Sequence, residues 1–235
     1  MKIILNTKNW KYWAYITNMI GCVLFILFTF FGMLFYSGGI YNNPSIEGYS
    51  FFMNFFSDIG RTIAHSGESN EISFIFFSLA FLLVGIMLIP MFLAFPSFFS
   101  KKSVNWGFGA SGSLLGLFTS FCFIGITFAP SDIHIEAHSF FVYGGLISGF
   151  IVSFFYSLAI FRKKSYKKRY AFNFLVFTII LAVYLGLIFL GPSIETSVGL
   201  VIQVTGQKVV LYTFAVCLFI HGYGAYSQEK TKRKN

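Results

Sequence analysis

The sequence predicts an all-α fold, a polytopic transmembrane bundle of six helices, and three observations support this prediction. Of the 235 residues, 56% are hydrophobic and 11% are charged, whereas soluble domains carry about 25% charged residues. Six uncharged apolar stretches reach the length of about 20 residues that a helix needs to cross a hydrocarbon core of ~30 Å. Charged residues are concentrated between these stretches. We therefore expect residues 1–235 to form a single integral membrane domain.

The apolar stretches give the expected spans, which lie at residues 12–36, 72–99, 106–129, 139–161, 172–190 and 209–227. Lysines precede the first span, as in a signal peptide. That span is about 25 residues long and lacks a small-residue cleavage site, so we expect it to remain as a helix. Pro90 and Pro96 should kink or end the second span.

Basic residues predict the orientation of the spans. Fifteen of the 17 Lys and Arg residues fall on one side, and only Arg61 and Lys208 fall on the other. Because basic loops remain in the cytoplasm, we expect an N-in, C-in topology with three outward loops. The composition is rich in Phe, Ile and Lys, which fits a prokaryote with A·T-rich coding, and hence a prokaryotic plasma membrane.

The first outward loop predicts a short helix. Apolar residues recur at three- and four-residue spacings over Tyr49–Ile59, the pattern of a helix in the interface or dipping back into the bundle. Gly60 suits a left-handed C-cap, which would leave Ser57, Asp58 and Arg61 near the helix end. Alternatively, Asp58 and Arg61 form an ordinary surface pair.

Small residues in the third and fourth spans predict close packing. They lie four residues apart or nearly so, which lets helix backbones approach each other in lipid. A connection of about nine residues joins the two spans, so they should be antiparallel neighbours. The residues concerned are Gly107, Gly109, Gly112, Gly116, Gly144, Gly145, Ser148 and Gly149.

The connection 130–138 gathers ionisable residues at alternate positions, namely Asp132, His134, Glu136 and His138. An extended backbone would point them to one side, and a helical turn would place His134 and His138 on one face. Imidazoles and carboxylates suit zinc or another divalent metal, or proton transfer. With Asp58 as a third ligand, His134 and His138 form the candidate metal site. Alternatively, Asp132 caps the fourth helix and the histidines lie at the headgroups.

Lys208 stands at the expected start of the sixth span. It could be a snorkelling interfacial lysine, could neutralise Asp58, Asp132 or Glu136, or could receive an anionic ligand group. The leading hypothesis is an outer polar pocket that binds a lipid headgroup or a small polar ligand. Its candidate residues are Ser57, Asp58, Arg61, Asp132, His134, His138 and Lys208.

Two other functions remain open. One is a metal-dependent hydrolase of lipid amides or esters, in which Asp58 or Glu136 moves the proton. The other is a proton-coupled transporter, although no span carries an acid at mid-depth. Membrane lipids are the expected partners. We expect the basic run Arg162–Arg169 to orient the chain in the membrane and to contact lipid headgroups, rather than to bind nucleic acid.

Several short motifs together resemble the DUF998 family of small prokaryotic six-span membrane proteins. They are Asn54-Phe-Phe-Ser57-Asp58-Ile-Gly60, Pro130-Ser-Asp132 at the end of the third span, His138, and Gly206-Gln207-Lys208. The resemblance implies the six-span fold but no activity, because none is assigned to the family. This chain departs from the family pattern at two places: it has Lys208 where the family often has Arg, and its sixth span lacks the family's Trp. A more remote similarity is to alkaline-ceramidase and progestin-receptor membrane hydrolases, which build a zinc site from Ser, Asp and His. Ser57, Asp58, His134 and His138 supply those residue types.

Overall fold

The computed structural model describes residues 9–232, which form seven α-helices and no strand within that range. Six helices are long, and α2 is a single turn. The helix bounds are α1 Trp10–Leu34, α2 Phe56–Ile59, α3 Glu71–Ala94, α4 Val104–Ile126, α5 Ile135–Arg162, α6 Lys168–Leu190 and α7 Ser197–Lys232. Helix α3 continues through Pro90 and passes into a 3-10 turn, Phe95–Phe98, that contains Pro96.

The six long helices are each long and apolar enough to cross a membrane, and the fold is the all-α six-helix bundle that the sequence predicts. The chain is therefore an integral membrane protein. Five helices lie within a few residues of the expected spans. The sixth does not, because α7 begins at Ser197 rather than at residue 209. Lys208 consequently lies inside a helix and not at its start.

The long helices form a closed ring. Each packs against its neighbours along the chain, and α7 closes the ring by packing against both α6 and α1. Aromatic side chains from several helices fill the centre, where Phe123 contacts Phe81 and Phe214. We call the end of the ring that carries residues 35–70 the site end, and the end that carries the basic loops the basic end.

Helices α4 and α5 pack closely through glycines, as the sequence predicts, but not through all of those expected: Gly116 meets Phe92 of α3, and a Cβ at Gly107 would meet no atom within 4 Å. A Cβ atom at Gly125 would lie 2.3 Å from the ring of Phe141, and one at Gly112 would lie 2.8 Å from the ring of Tyr156. On the opposite helix, a Cβ at Gly144 would lie 3.0 Å from the sulfur of Cys122. These backbones therefore sit against side chains of the partner helix with no space for a methyl group.

The short helix predicted at Tyr49–Ile59 is present only as α2. Residues 50–54 form turns, because the Asn54 side chain accepts a hydrogen bond from the Ser50 amide and donates to the Gly39 carbonyl, in competition with a helix. Phe56 and Ile59 are buried, so α2 dips into the bundle. The left-handed C-cap is wrong: Gly60 has φ −89°. Its lack of a side chain instead admits the Phe77 ring, 2.4 Å from where a Cβ would stand.

The first prediction compares two glycines of α4. Gly125→Ala should lower the melting temperature of the purified protein, because the new methyl group collides with Phe141 and tightly packed cores lose about 1–3 kcal/mol on overpacking. Gly107→Ala is the matched control, since a Cβ at Gly107 meets no atom within 4 Å. Alanine there should be neutral or stabilising by up to about 1 kcal/mol. Equal melting temperatures of the two variants would contradict the close α4–α5 packing.

Candidate functional site

Asp58 and Asn54 form the centre of a buried polar network at the site end. The Asp58 carboxylate accepts hydrogen bonds from the Asn54 side-chain amide at 3.1 Å, from the Phe55 backbone amide at 2.8 Å, and from His65 Nε2 at 3.1 Å. Asn54 is fully buried, and its side chain also bonds to Ser50 and Gly39. Asp58 therefore stabilises the fold of residues 50–65 and has few lone pairs left for a ligand.

Lys208 is 2% exposed and holds the same loop from α7. Its Nζ donates a hydrogen bond to the Asn54 carbonyl. The ammonium also lies 5.2, 5.1 and 5.9 Å from the ring centroids of Tyr49, Phe51 and Phe56, an aromatic cage of the kind that binds cations. These contacts replace water around the charge, which explains why α7 continues past Lys208 instead of beginning there.

Tyr49 and Gln207 reinforce this attachment. The Tyr49 hydroxyl donates to the Asn54 and Phe55 carbonyls, both at 3.0 Å, and burial raises its pKa well above the ordinary value, so it remains a donor. The Gln207 side-chain oxygen accepts a hydrogen bond from the Phe56 amide at 2.7 Å. Consecutive residues of α7, Gln207 and Lys208, therefore hold the start of α2.

Asp132 joins the α4–α5 connection to the first loop. Its carboxylate accepts hydrogen bonds from the Thr62 amide and hydroxyl and from the Ile63 amide, at 2.7–3.1 Å. Burial opposes ionisation of Asp132, but these hydrogen bonds outweigh it and lower the pKa of the carboxyl below its ordinary value. Two stretches distant in sequence thus meet as expected. Asp132 does not cap α5, whose N-cap residue is His134.

His138 is 6% exposed and faces the interior of the site end. Its Nδ1 lies 2.8 Å from the Ala129 carbonyl oxygen. Because a carbonyl oxygen can only accept, Nδ1 carries the hydrogen, and Nε2 of the neutral ring is an acceptor. Within residues 9–232, Nε2 makes no hydrogen bond. Asp58 and Asp132 both act on this imidazole electrostatically.

The candidate metal set does not assemble. His134 is exposed and precedes α5 in a non-helical conformation, with φ −129° and ψ 57°, so it does not share a helical face with His138. Within the described residues, no group of three or more His, Cys, Asp or Glu side chains could hold a metal ion. The site of His134, His138 and Asp58 is therefore wrong, and these residues do not fit zinc.

Arg61 also differs from its expected roles. Its Nε donates to the Ile63 carbonyl at 3.0 Å, while Asp58 is buried and bound to other partners. The Asp58–Arg61 surface pair is thus absent. The two cations that the sequence separates from the basic loops, Arg61 and Lys208, both hydrogen-bond to backbone carbonyls of the first loop.

Two adjoining cavities open beside this network, and they share a wall made of Ser57, His138, Val142, Tyr184 and Gln207. The inner chamber has a volume of about 40 Å³ and is otherwise apolar, with Phe56, Phe77, Phe81, Phe123, Ile126, Leu146 and Leu211 around it. The vestibule is larger, about 450 Å³, and more open. Its remaining lining consists of Phe55, Ser139, Tyr143, Ile188, Gly191, Pro192, Ser193, Ile194 and Gln203.

The expected site residues thus divide into two groups. Ser57 and His138 line both cavities, whereas Asp58, Asp132 and Lys208 hold the surrounding loops, and His134 and Arg61 line neither cavity. Sequence reasoning missed Gln207, Gln203 and Tyr184 as lining residues. The two glutamines lie four residues apart in an apolar segment, a signal that would have been visible had α7 been expected to start at Ser197. Tyr184 lies within an apolar span, and nothing in the sequence distinguished it as a lining residue.

Comparison with known proteins found no relative: no protein-family model, no curated protein and no solved structure matches this chain. The resemblance to the DUF998 family therefore remains a prediction from the sequence motifs. The geometry of the site end is the basis on which function can be argued.

The second prediction concerns the aromatic cage. Lys208→Met keeps the apolar stem but removes the ammonium, and a desolvated cation–π contact contributes about 2 kcal/mol. We expect a lower melting temperature and faster proteolysis within residues 49–56. Lys230→Met is the matched control, because Lys230 also lies over a ring, that of Tyr226 at 5.9 Å, but is exposed. Indistinguishable behaviour of the two variants would contradict the role of Lys208.

The third prediction is a pH dependence. Because the folded pKa of Asp132 is below its ordinary value of 3.8, ionised Asp132 stabilises the fold above that value, and the stabilisation is lost as pH falls through the folded pKa. The wild-type protein should therefore melt higher than Asp132→Asn at about pH 7, and this difference should shrink below about pH 4.

Glu136→Gln is the control for Asp132→Asn, since Glu136 is an exposed carboxylate of the same segment. It should change the melting temperature little at either pH. A difference between wild type and Asp132→Asn that stays constant with pH would show that ionised Asp132 does not hold the first loop.

Proposed function

We propose that this protein binds an uncharged amphiphile at the site end of the bundle, with its polar head in the vestibule against the wall that the two cavities share. The observation that carries the proposal is the shared wall. Ser57, His138 and Gln207 stand where a polar cavity meets an apolar one. Ligand sites typically combine an apolar lining with a few convergent polar groups.

The polar groups of this wall have unused hydrogen-bonding capacity. Within the described chain, the Ser57 hydroxyl, the His138 Nε2 atom and the Gln207 side-chain NH₂ make no hydrogen bond. The side-chain oxygen of Gln207 accepts a hydrogen bond from the Phe56 amide. The NH₂ group of the same side chain therefore points away from Phe56 and is available as a donor. His138 Nε2 supplies an acceptor, and Ser57 supplies either. A hydroxyl or amide head group could satisfy all three.

The charge of the lining argues for an uncharged head. None of the described residues around either cavity is Asp, Glu, Lys or Arg. An anionic phosphate would need a cation nearby, because an unpaired charge is costly to bury. Lys208, the cation expected to receive an anion, is instead enclosed by Tyr49, Phe51 and Phe56.

We further propose that the site end faces outward across a prokaryotic plasma membrane, with both termini in the cytoplasm. The asymmetry of Lys and Arg supports this orientation. The ligand would then reach the vestibule from the outer leaflet or the external solution. Binding is favoured over metal-dependent hydrolysis because the residues expected to hold the metal are not together.

The fourth prediction tests the shared wall with 1-monooctanoylglycerol, an uncharged head with two hydroxyls, added to protein in phosphatidylcholine nanodiscs. It should raise the melting temperature of the wild type, since a ligand that binds the folded state stabilises it. Ser57→Ala should weaken the response by about threefold to tenfold in apparent Kd, as expected for one hydrogen bond of ~1 kcal/mol. Because the Ser57 hydroxyl makes no hydrogen bond to the described residues, this variant should fold normally.

Ser45→Ala provides the matched control, since Ser45 is an exposed serine of the same loop whose side chain makes no hydrogen bond within the described residues. It should respond like the wild type. Lysophosphatidic acid with the same acyl chain should shift the melting temperature less than the glycerol ester. No response of the wild type to the glycerol ester, or equal responses of Ser57→Ala and Ser45→Ala, would contradict the proposal.

A further inference from the structure

Tyr184 of α6 stands between the proposed binding site and the membrane. It lines the inner chamber and the vestibule, and it also lines a third cavity, the lateral groove, between α6 and α7. The lateral groove has a volume of about 540 Å³. Among the described residues, Tyr184 is the one that lines both the groove on the outside of the bundle and the cavities on the inside.

Packing alone holds the Tyr184 ring in this position. One edge of the ring lies against Gly206 of α7, where a Cβ atom would come within 2.9 Å of the ring carbon Cδ2. Its hydroxyl makes no hydrogen bond to any residue of the described chain. No hydrogen bond to the described residues therefore opposes movement of the ring away from Gly206.

The lateral groove has the lining that an acyl chain requires. Aliphatic side chains of α6 and α7 form its walls, and several of them are on the lipid-facing surface: Val183 is 61% exposed, and Ile179 and Val209 are also exposed. Thr205 and Gly206 of α7 complete the lining. Such a surface offers a chain the same apolar surroundings as the bilayer.

We infer that the site opens sideways to the lipid through the α6–α7 seam, with Tyr184 as the gate, and that the acyl chain of the bound amphiphile lies in the lateral groove. This inference rests on the proposed function and specifies its ligand as a membrane-dissolved lipid with an uncharged head. Head and chain are then bound on opposite sides of one aromatic ring. The inner chamber, at about 40 Å³, is too small to hold a long chain.

The fifth prediction uses a 1-monopalmitoylglycerol that carries a diazirine near the end of its chain, with the full-length protein in nanodiscs. Illumination should label peptides that contain residues 179–187 and 201–210, and excess unlabelled monopalmitoylglycerol should abolish most of this labelling. Val183→Trp fills the groove and should reduce the competed labelling severalfold. Val176→Trp is the matched control, because Val176 is a valine of the same helix with 55% exposure that does not line the groove.

The outcomes separate the two proposals. Competed labelling that maps to α6 and α7, falls in Val183→Trp and persists in Val176→Trp supports the lateral gate. Competed labelling on other helices, or labelling equally affected by both tryptophans, overturns the gate while leaving the vestibule as the binding site. The absence of any competed labelling overturns the proposed function itself.

Discussion

The architecture of the site end depends on Lys208, a buried lysine that forms no ion pair with any residue that the structure describes. Lys208 is surrounded by three aromatic rings and bonded to the Asn54 carbonyl, and Asn54 in turn binds Asp58. A charge removed from water must be compensated by its surroundings. The first loop supplies those surroundings and is therefore fixed to α7. Phe56 and Ser57 belong to this loop and line the inner chamber, and we call this part of the lining the roof.

A second attachment, from the α4–α5 connection, completes this arrangement. Asp132 accepts hydrogen bonds from Thr62 and Ile63, just beyond α2. The first loop is therefore attached on both sides of α2, to α7 before it and to the α4–α5 connection after it. Between the two attachments, the Ser57 hydroxyl makes no hydrogen bond to the described residues, and Ser57 lines the shared wall together with His138 and Gln207. The charged residues stabilise the loop, and the uncharged ones line the cavity. This difference between the two groups of residues is the reason for proposing an uncharged ligand.

Sequence reasoning predicted the spans well because a helix that crosses lipid needs a long apolar run, and that run is visible in the sequence. It also predicted that the first loop would meet the α4–α5 connection. It failed at Lys208 because a charge was taken to mark the start of a span, whereas the cage that compensates it comes from residues about 155 positions away. It failed at His134 because the four-residue spacing to His138 has meaning only if both lie in a helix, and α5 begins at Ile135. Tyr184 could not have been found, since its role arises only from packing on Gly206.

The central claim is that α7 holds the first loop as a fixed roof, and amide hydrogen exchange of the protein in nanodiscs tests it most directly. Peptides covering residues 53–60 should exchange far more slowly than those covering 41–48, because the amides of Asn54, Phe55, Phe56 and Asp58 are bonded to Ser50, Asp58, Gln207 and Phe55, whereas 41–48 is exposed. The protection should approach that of the long helices. Equally fast exchange of the two segments would contradict the account, because a loop that opens freely could not form the wall of a binding site.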